Sequence, residues 1–309
     1  MPTQTTSNIL MVRPVRFEFN EQTAESNAFQ NADIATQTKA DTQVEALKEF
    51  DAMVRWLRDN GLNVTVIDDT AEPHTPDSIF PNNWVSFHQS GKVILYPMQA
   101  QNRRLERRQD IIETLSNDFQ ITQIIDLSYF EAENKFLEGT GSLVLDRKSR
   151  IAYACLSPRT HADVLTAFSK VIDYEIVTFE ATDINNKAVY HTNVVMCVGD
   201  IFVVICLEAI KNLDERLSIR NTIVKSGKEI IEISIDQMNH FAGNMLLVNN
   251  TKGEKLLVMS TSAYRSLTPK QIDRLDDYAR LTHFDLSVIE ANGGGSARCM
   301  MAEIHLPRK

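Results

Sequence analysis

Cysteine is scarce in this 309-residue chain: four residues, at 155, 197, 206 and 299, none in a CxxC pair. That argues against a disulfide framework and a zinc knuckle, so reduced thiols and no metal are expected. Positive charge is also in deficit. With 32 basic against 41 acidic side chains, the formal charge is −9 and the pI about 5.3, which works against phosphate backbones and anionic lipid. No stretch approaches the ~18 apolar residues of a membrane span, and the first residues lack the basic flank and apolar run of a secretory signal. The expectation is a cytoplasmic protein that engages neither nucleic acid nor membrane. Nucleotide loops are missing too, because neither a GxGxxG fingerprint nor a Walker Lys-Ser or Lys-Thr follows any glycine cluster.

What is present is repetition. Four short apolar runs open with small or polar residues: IFPNNWVSF (79–87), FLEGTGSLVLD (136–146), VYHTNVVMCV (189–198) and HFAGNMLLV (240–248). A fifth, GGGSARCMMAEIHL (293–306), closes the chain. From Phe80 to Leu137, His191, Ala242 and Ala297 the steps are 57, 54, 51 and 55 residues, a period that implies five similar units. After each opening run come a turn rich in Gly or Asx and a second strand, as in HQSGKVILYP and NNTKGEKLLVMS. Helical patterns follow at Arg103–Leu115, Arg159–Val171, Leu207–Val224 and from Thr268, where Pro269 and Gln271 make a capping-box signature. The units then end in strands expected at 121–127, 174–179, 228–234 and 284–290.

The fifth unit is split between the chain ends. Its first strand is expected at Arg298–Leu306, and its second strand (Asn8–Val12), helix and last strand (Asn63–Ile67) lie near the N-terminus. Leu47, Phe50, Val54 and Leu57 share one face of that helix, and Gly61 is placed to stop it. The reading is an α/β chain of ββαβ units closed into a ring, one domain over 1–309, with the polar openings of the first strands converging near the axis. The segment 14–41 has no sustained period and is long for a connection. It is either a surface excursion or an active-site loop whose Asn20, Gln22 and Asn27 hydrogen-bond a small polar substrate.

Three reactive side chains share one phase of the repeat: Glu138 in FLEGTG, His191 in YHTN and Cys299 in GGGSARC. Separately, each has an ordinary reading: a buried small hydrophobe for the cysteine, a structural histidine, a turn-capping glutamate. Together they match a nucleophile, a base and an acid partner. A thiol attacks as thiolate, so Cys299 calls for a cation nearby: a protonated His191, Arg298, or the substrate itself. Asn83 and Asn193 share the same phase, with Asn82 and Asn244 as lesser candidates, and their amides suit a planar polar group. Asp77 adds charge beside Asn83. The cluster NRRLERR (102–108) reads first as a solvated helix face, and otherwise as a source of one arginine, Arg103 or Arg104, for a substrate carboxylate.

Five units carrying Glu, His and Cys at their inner strand starts resemble the guanidino-group-modifying enzymes, the amidinotransferase and deiminase (pentein) superfamily. GGGSARC, YHTN and EGTGSLVLD carry the likeness across nearly the whole chain, and FPNNWVSFH, YPMQAQNRRLERR and FAGNMLLV look most like its citrulline-utilisation hydrolase-type branch. The resemblance implies a five-bladed α/β-propeller and an enzyme needing neither metal nor organic cofactor. It also implies that Cys299 attacks the central carbon of a guanidine, that His191 protonates the departing amine and then activates water, and that Glu138 orients His191. Asn83 and Asn193 stand where many relatives have aspartates, which weakens the case for free arginine and favours an N-acylated arginine or a neutral ureido group as in citrulline. Asn82, Asp77, Arg103 and Arg298 complete the expected substrate-binding set. The ligand is a small guanidino or ureido amino-acid derivative, with homo-oligomers left open. Two alternatives remain: amidino transfer to an amine acceptor, or a non-catalytic binding module on the same scaffold.

Overall fold

Most of the expected units begin with a tight turn ahead of the strand. In the computed structural model, which describes residues 3–27, 29–30 and 39–309, short helical turns at Pro81–Asn83, Gly139–Ser142 and Thr192–Val195 precede the first strands of three units. Glu138 and His191 occupy the N-cap positions of the second and third turns. Small polar residues favour such turns because their side chains compete with the ladder for backbone hydrogen bonds.

Among the described residues fifteen strands then assemble in chain order. They are β1 (Asn8–Arg13), β2 (Asn63–Asp68), β3 (Val85–Phe87), β4 (Lys92–Leu95), β5 (Gln123–Asp126), β6 (Leu143–Asp146), β7 (Ile151–Cys155) and β8 (Glu175–Phe179). The rest are β9 (Met196–Val198), β10 (Phe202–Ile205), β11 (Glu229–Glu232), β12 (Leu246–Asn249), β13 (Lys255–Ser260), β14 (Arg280–Phe284) and β15 (Ala302–Glu303). They form five mixed sheets of three strands each, β3-β4-β5, β6-β7-β8, β9-β10-β11, β12-β13-β14 and β15-β1-β2. In each sheet the middle strand is antiparallel to the first and parallel to the third, for example Val85 opposite Leu95 and Lys92 beside Gln123. A parallel pair needs a crossover, and the helices supply it. The middle strands read as continuous apolar runs because both faces are covered; all residues of β7 and β10 are buried.

The first strands pack on one another: β15 against β3, β6 against β9, and β9 against β12. The turn Gly139–Ser142 touches both Pro81–Asn83 and Thr192–Val195, which brings three of the polar openings together. The split unit closes as expected, with β1 between β15 and β2. Its helix, Lys39–Asp59, buries Phe50, Met53, Val54 and Leu57 beside Ile9, Phe80, Leu246 and Met300, and Gly61 ends it at φ +86°. Cys299 is seated in this same apolar cluster.

Several boundaries differ from the sequence reading. The segment 284–290 is not a strand: β14 ends at Phe284 and a helix, Ser287–Gly293, follows with Asp285 accepting from the Ser287 amide. The alternating pattern lies earlier, in RLTHF. The strand expected over Arg298–Leu306 is only Ala302–Glu303, since the amides of Cys299 and Met300 fold back onto the Ser296 carbonyl. The helical pattern at Arg103–Leu115 is broken into Gln101–Arg104 and Gln109–Leu115. Thr268 does cap its helix through the reciprocal box with Gln271. Part of the segment 14–41, residues 28 and 31–38, lies outside the described residues.

Candidate active site

A narrow pocket opens where the turns meet, and His191, Cys299, Asn83, Asp77, Arg103 and Arg159 are among its lining. The Cys299 sulfur lies 3.3 Å from Asn244 Nδ2 and 3.5 Å from Asn193 Nδ2. The same two side chains present their oxygens to the sulfur at longer range, Asn244 Oδ1 at 3.6 Å and Asn193 Oδ1 at 3.9 Å. Asn244 is fixed by two further bonds: Nδ2 donates to the Asn193 carbonyl at 3.0 Å, and Oδ1 accepts from the Arg298 amide at 3.1 Å.

On the other side, His191 Nε2 meets Glu138 Oε2 at 2.8 Å. Arg159 Nη1 and Arg103 Nη1 lie 3.4 and 3.6 Å from that same oxygen. Burial alone would raise the Glu138 pKa, but Arg159, the His191 hydrogen bond and Arg103 outweigh it and hold the carboxyl well below the usual carboxylate range. An ionised carboxylate only accepts, so His191 carries its proton on Nε2 and leaves Nδ1 as the acceptor. Burial, with Arg159 and Arg103 close by, outweighs Glu138 and lowers the His191 pKa to about 4. The imidazole is therefore neutral at pH 7. Of the cations considered for Cys299, a protonated His191 is thereby disfavoured, because Arg159 and Arg103 already stand beside Glu138 and a third positive charge adds repulsion.

Gly141 permits the arrangement. A Cβ there would stand 2.5 Å from Asn83 Nδ2 and 2.7 Å from His191 Nδ1, closer than real side-chain contacts come. In GGGSARC, Gly294 ends the helix Ser287–Gly293 at φ +64°. A left-handed residue there suits glycine.

Arg103 is fully buried, and its cluster is not the solvated face the sequence suggested. Arg103 donates to both oxygens of Glu106 at 2.9 and 3.0 Å and to Asn83 Oδ1 at 2.9 Å, with Asp77 Oδ2 3.6 Å away. Burial pushes the Glu106 carboxyl up, Arg103 opposes this, and the outcome is about 8. Burial likewise raises Asp77, whose Oδ2 accepts from Asn20 Nδ2 at 2.7 Å while Oδ1 is buried with no partner among the described residues.

Two expected substrate contacts are elsewhere. Arg298 points away: Nη1 donates to the Met301 carbonyl at 2.8 Å and Nη2 to Glu303 Oε2 at 2.7 Å, so its guanidinium is spent inside the fold. Asn82 is fully buried behind Asn83, accepting from Asn83 Nδ2 at 3.0 Å, and does not line the pocket. Arg104 instead donates to the carbonyls of Met98 and Gln99. Arg159, Glu106 and Tyr190 escaped the sequence reading. Arg159 follows a second strand just as the Arg103 cluster does, a parallel between units that was available. It holds down the polar segment, donating to Ser26 Oγ at 2.7 Å and the Thr23 carbonyl at 3.3 Å, and lies over the Tyr190 ring at 4.8 Å. Asn20 caps the turn Glu21–Ala24, Gln22 accepts from the Asn102 amide at 3.0 Å, and Asn27 donates to the Gly293 carbonyl at 3.3 Å and lines the pocket. Among the described residues no group of three or more His, Cys, Asp or Glu side chains is arranged to hold a metal ion.

An active-site constellation of this kind on five mixed sheets defines a guanidino-modifying enzyme class, and the chain belongs to the family described as N,N dimethylarginine dimethylhydrolase, eukaryotic, whose model matches residues 13–306. Members of this family and its structural neighbours are hydrolases acting on guanidino C–N bonds. The chain is similar in fold to the N-terminal domain of ArgZ bound covalently to a reaction intermediate, at 17% identity and a TM-score of 0.76 over 97% of this chain and 98% of that one. Full-length ArgZ is an arginine dihydrolase of the ornithine-ammonia cycle in cyanobacteria; the present chain spans 41% of it, with a TM-score of 0.75 and 18% identity. A dimethylarginine dimethylaminohydrolase variant in adduct with S-methyl-L-thiocitrulline superposes with a TM-score of 0.66 at 17% identity, over 97% of this chain and 99% of that chain. No curated protein matches the chain by sequence. Among the described residues no helix is long and apolar enough to cross a membrane.

Proposed function

We propose that this protein is a thiol-dependent hydrolase of a guanidino group on an arginine-related small molecule, with its five sheets arranged as blades of one α/β-propeller domain. The observation that carries the reading is the position of Cys299 between two amide donors, in the same pocket as a neutral His191 held by ionised Glu138. Cys299 loses its proton to His191 Nδ1, and the sulfur forms a bond to the guanidino carbon. His191 then gives that proton to the departing nitrogen as the C–N bond breaks, releasing ammonia or an amine. Water, deprotonated by the same imidazole, adds to the thiouronium carbon. Collapse expels the thiolate and leaves a ureido product.

The orphaned Asp77 Oδ1 favours a substrate rich in N–H donors, because a buried acceptor without a partner costs about 1–3 kcal/mol. Asn83 and Asn193 contribute amides rather than charge. Arg103 and Arg159 suit a carboxylate on the substrate's tail. The segment carrying Asn20, Gln22 and Asn27 acts as the pocket's cover, and the cytoplasm is the compartment in which four free thiols stay reduced.

The test is incubation with arginine, N-acylarginines, agmatine, methylated arginines and citrulline, measuring ammonia or amine and seeking an adduct on the Cys299 peptide by mass spectrometry. Release without an added acceptor, together with that adduct, is expected. A new guanidino compound that forms only with an amine acceptor would make the enzyme an amidinotransferase. No turnover and no adduct on any of these would leave a binding module.

A further inference from the structure

The inner strands have a second end. Asn83, Glu138 and Cys299 precede β3, β6 and β15, whereas His88, Arg147 and His305 follow those strands on the far side. At ~3.3 Å per strand residue the two ends are roughly 10–15 Å apart. The far ends meet in a separate cleft of about 880 Å³, lined by His88, Arg147 and His305 together with Lys92, Arg150 and Tyr174.

Its charge is unbalanced. Arg147 is 4% exposed, with Nε 3.7 Å from Glu303 Oε1, and it faces the Tyr174 hydroxyl. Beyond these neighbours its guanidinium has no hydrogen-bond partner among the described residues. Glu303 is already engaged, accepting from Arg298 Nη2 at 2.7 Å and lying 3.3 Å from His305 Nε2. One carboxylate thus stands between two buried guanidiniums. Asp146, next in sequence, is taken up by Lys228 Nζ at 2.5 Å, and the rim acid Asp173 by Arg150 at 2.7 Å. His88 meets Ser86 Oγ through Nε2 at 2.8 Å, and the Nδ1 atoms of His88 and His305 have no hydrogen-bond partner among the described residues.

A buried cation that shares its only counter-charge with a second guanidinium is costly, and a forked guanidinium matches an oxyanion. The geometry points to an anion-binding site at this far mouth, separate from the reacting pocket, which takes a small molecule bearing a carboxylate or phosphate group. Arg147 grips the oxyanion, and Lys92 adds charge at the rim beside the Arg150–Asp173 pair.

Calorimetric titration of the full chain with inorganic phosphate and, separately, with succinate, at matched ionic strength in chloride, tests this. Saturable binding of at least one, with Kd of about 1 mM or tighter, is expected. Phosphate alone would specify a phosphorylated ligand, succinate alone a carboxylated one. The double variant Lys92→Ala/Arg150→Ala, whose side chains lie at the rim, should weaken binding at least fivefold while leaving substrate hydrolysis unchanged. Arg147→Lys, which keeps charge but loses the fork, should weaken it further if it folds. Absence of saturable binding for both anions, or affinity untouched in the rim variant, would overturn the site, the latter by assigning binding to Arg103 and Arg159 instead.

Discussion

His191 and Glu138 lie 53 residues apart in sequence and 2.8 Å apart in space, both buried, with the imidazole donating and the carboxylate flanked by two guanidiniums. The pair fixes which ring nitrogen carries the proton. In Glu138→Gln the amide can no longer enforce that choice, and kcat is expected to fall by roughly 10²- to 10⁴-fold. The imidazole C2–H resonance of wild-type His191 should show no titration between pH 5 and 8, in keeping with a pKa near 4. A midpoint near 6.5 in the folded enzyme would contradict a neutral base.

Asn244 has a different task, donating to sulfur while accepting from the Arg298 amide. Asn244→Ala removes the donor and loosens the turn that carries the nucleophile. A drop in kcat of roughly tenfold or more, with slower alkylation of Cys299 by iodoacetamide at pH 7, is expected, since a hydrogen bond to a charged group contributes about 1.5–3 kcal/mol. Unchanged alkylation would show that the amide does not support the thiolate.

Gly141→Ala probes space rather than charge. The added methyl collides with Asn83 Nδ2 and His191 Nδ1, so one of them must move. Loss of most activity is expected with the cooperative thermal transition retained, read by ammonia release and circular dichroism. Wild-type activity would mean that the imidazole works from another position.

Stability should respond to acid through His305, whose pKa is lowered to about 4, chiefly by burial. Between that value and ~6.5 the unfolded chain holds a proton that the folded chain lacks, so this residue's contribution is complete above pH ~6.5 and is lost as pH falls towards 4. The carboxyl groups of Glu49 and Glu290, raised to about 7 by burial, act in the opposite sense, so the whole-protein slope is a poor readout. The difference between wild type and His305→Gln isolates the residue. Urea unfolding at pH 6 and 5 should show the wild type losing about 1.4 kcal/mol per pH unit more than the variant. Parallel losses would mean that His305 is already charged in the folded state.

The repeat, the split unit and the phase shared by Glu138, His191 and Cys299 were legible in the sequence because each first strand must be apolar and must follow a polar turn. Asn83 and Asn193 were singled out by the same phase, and Asp77 by its place beside Asn83. Where the reading failed, the cause was local. Arg298 neighbours the nucleophile along the chain, but consecutive residues diverge, and its guanidinium meets Glu303. Arg103 and Glu106 looked like a solvated face because charge runs usually are; only the pocket wall buries their ion pair. Arg159 gave no signal by itself, since its partners Thr23, Ser26 and Glu138 are distant in sequence and come together only when the polar segment folds back.

The sheet β15-β1-β2 draws its strands from both halves of the polypeptide, pairing Ile9 with Glu303 and Leu10 with Ala302. During synthesis β1 therefore emerges from the ribosome hundreds of residues before its partner, and contacts of that sequence separation form slowly. The sulfur at 299 is translated just ahead of the strand that completes this sheet. A nascent chain consequently brings Cys299 beside Asn193 and Asn244 only as this sheet is sewn shut.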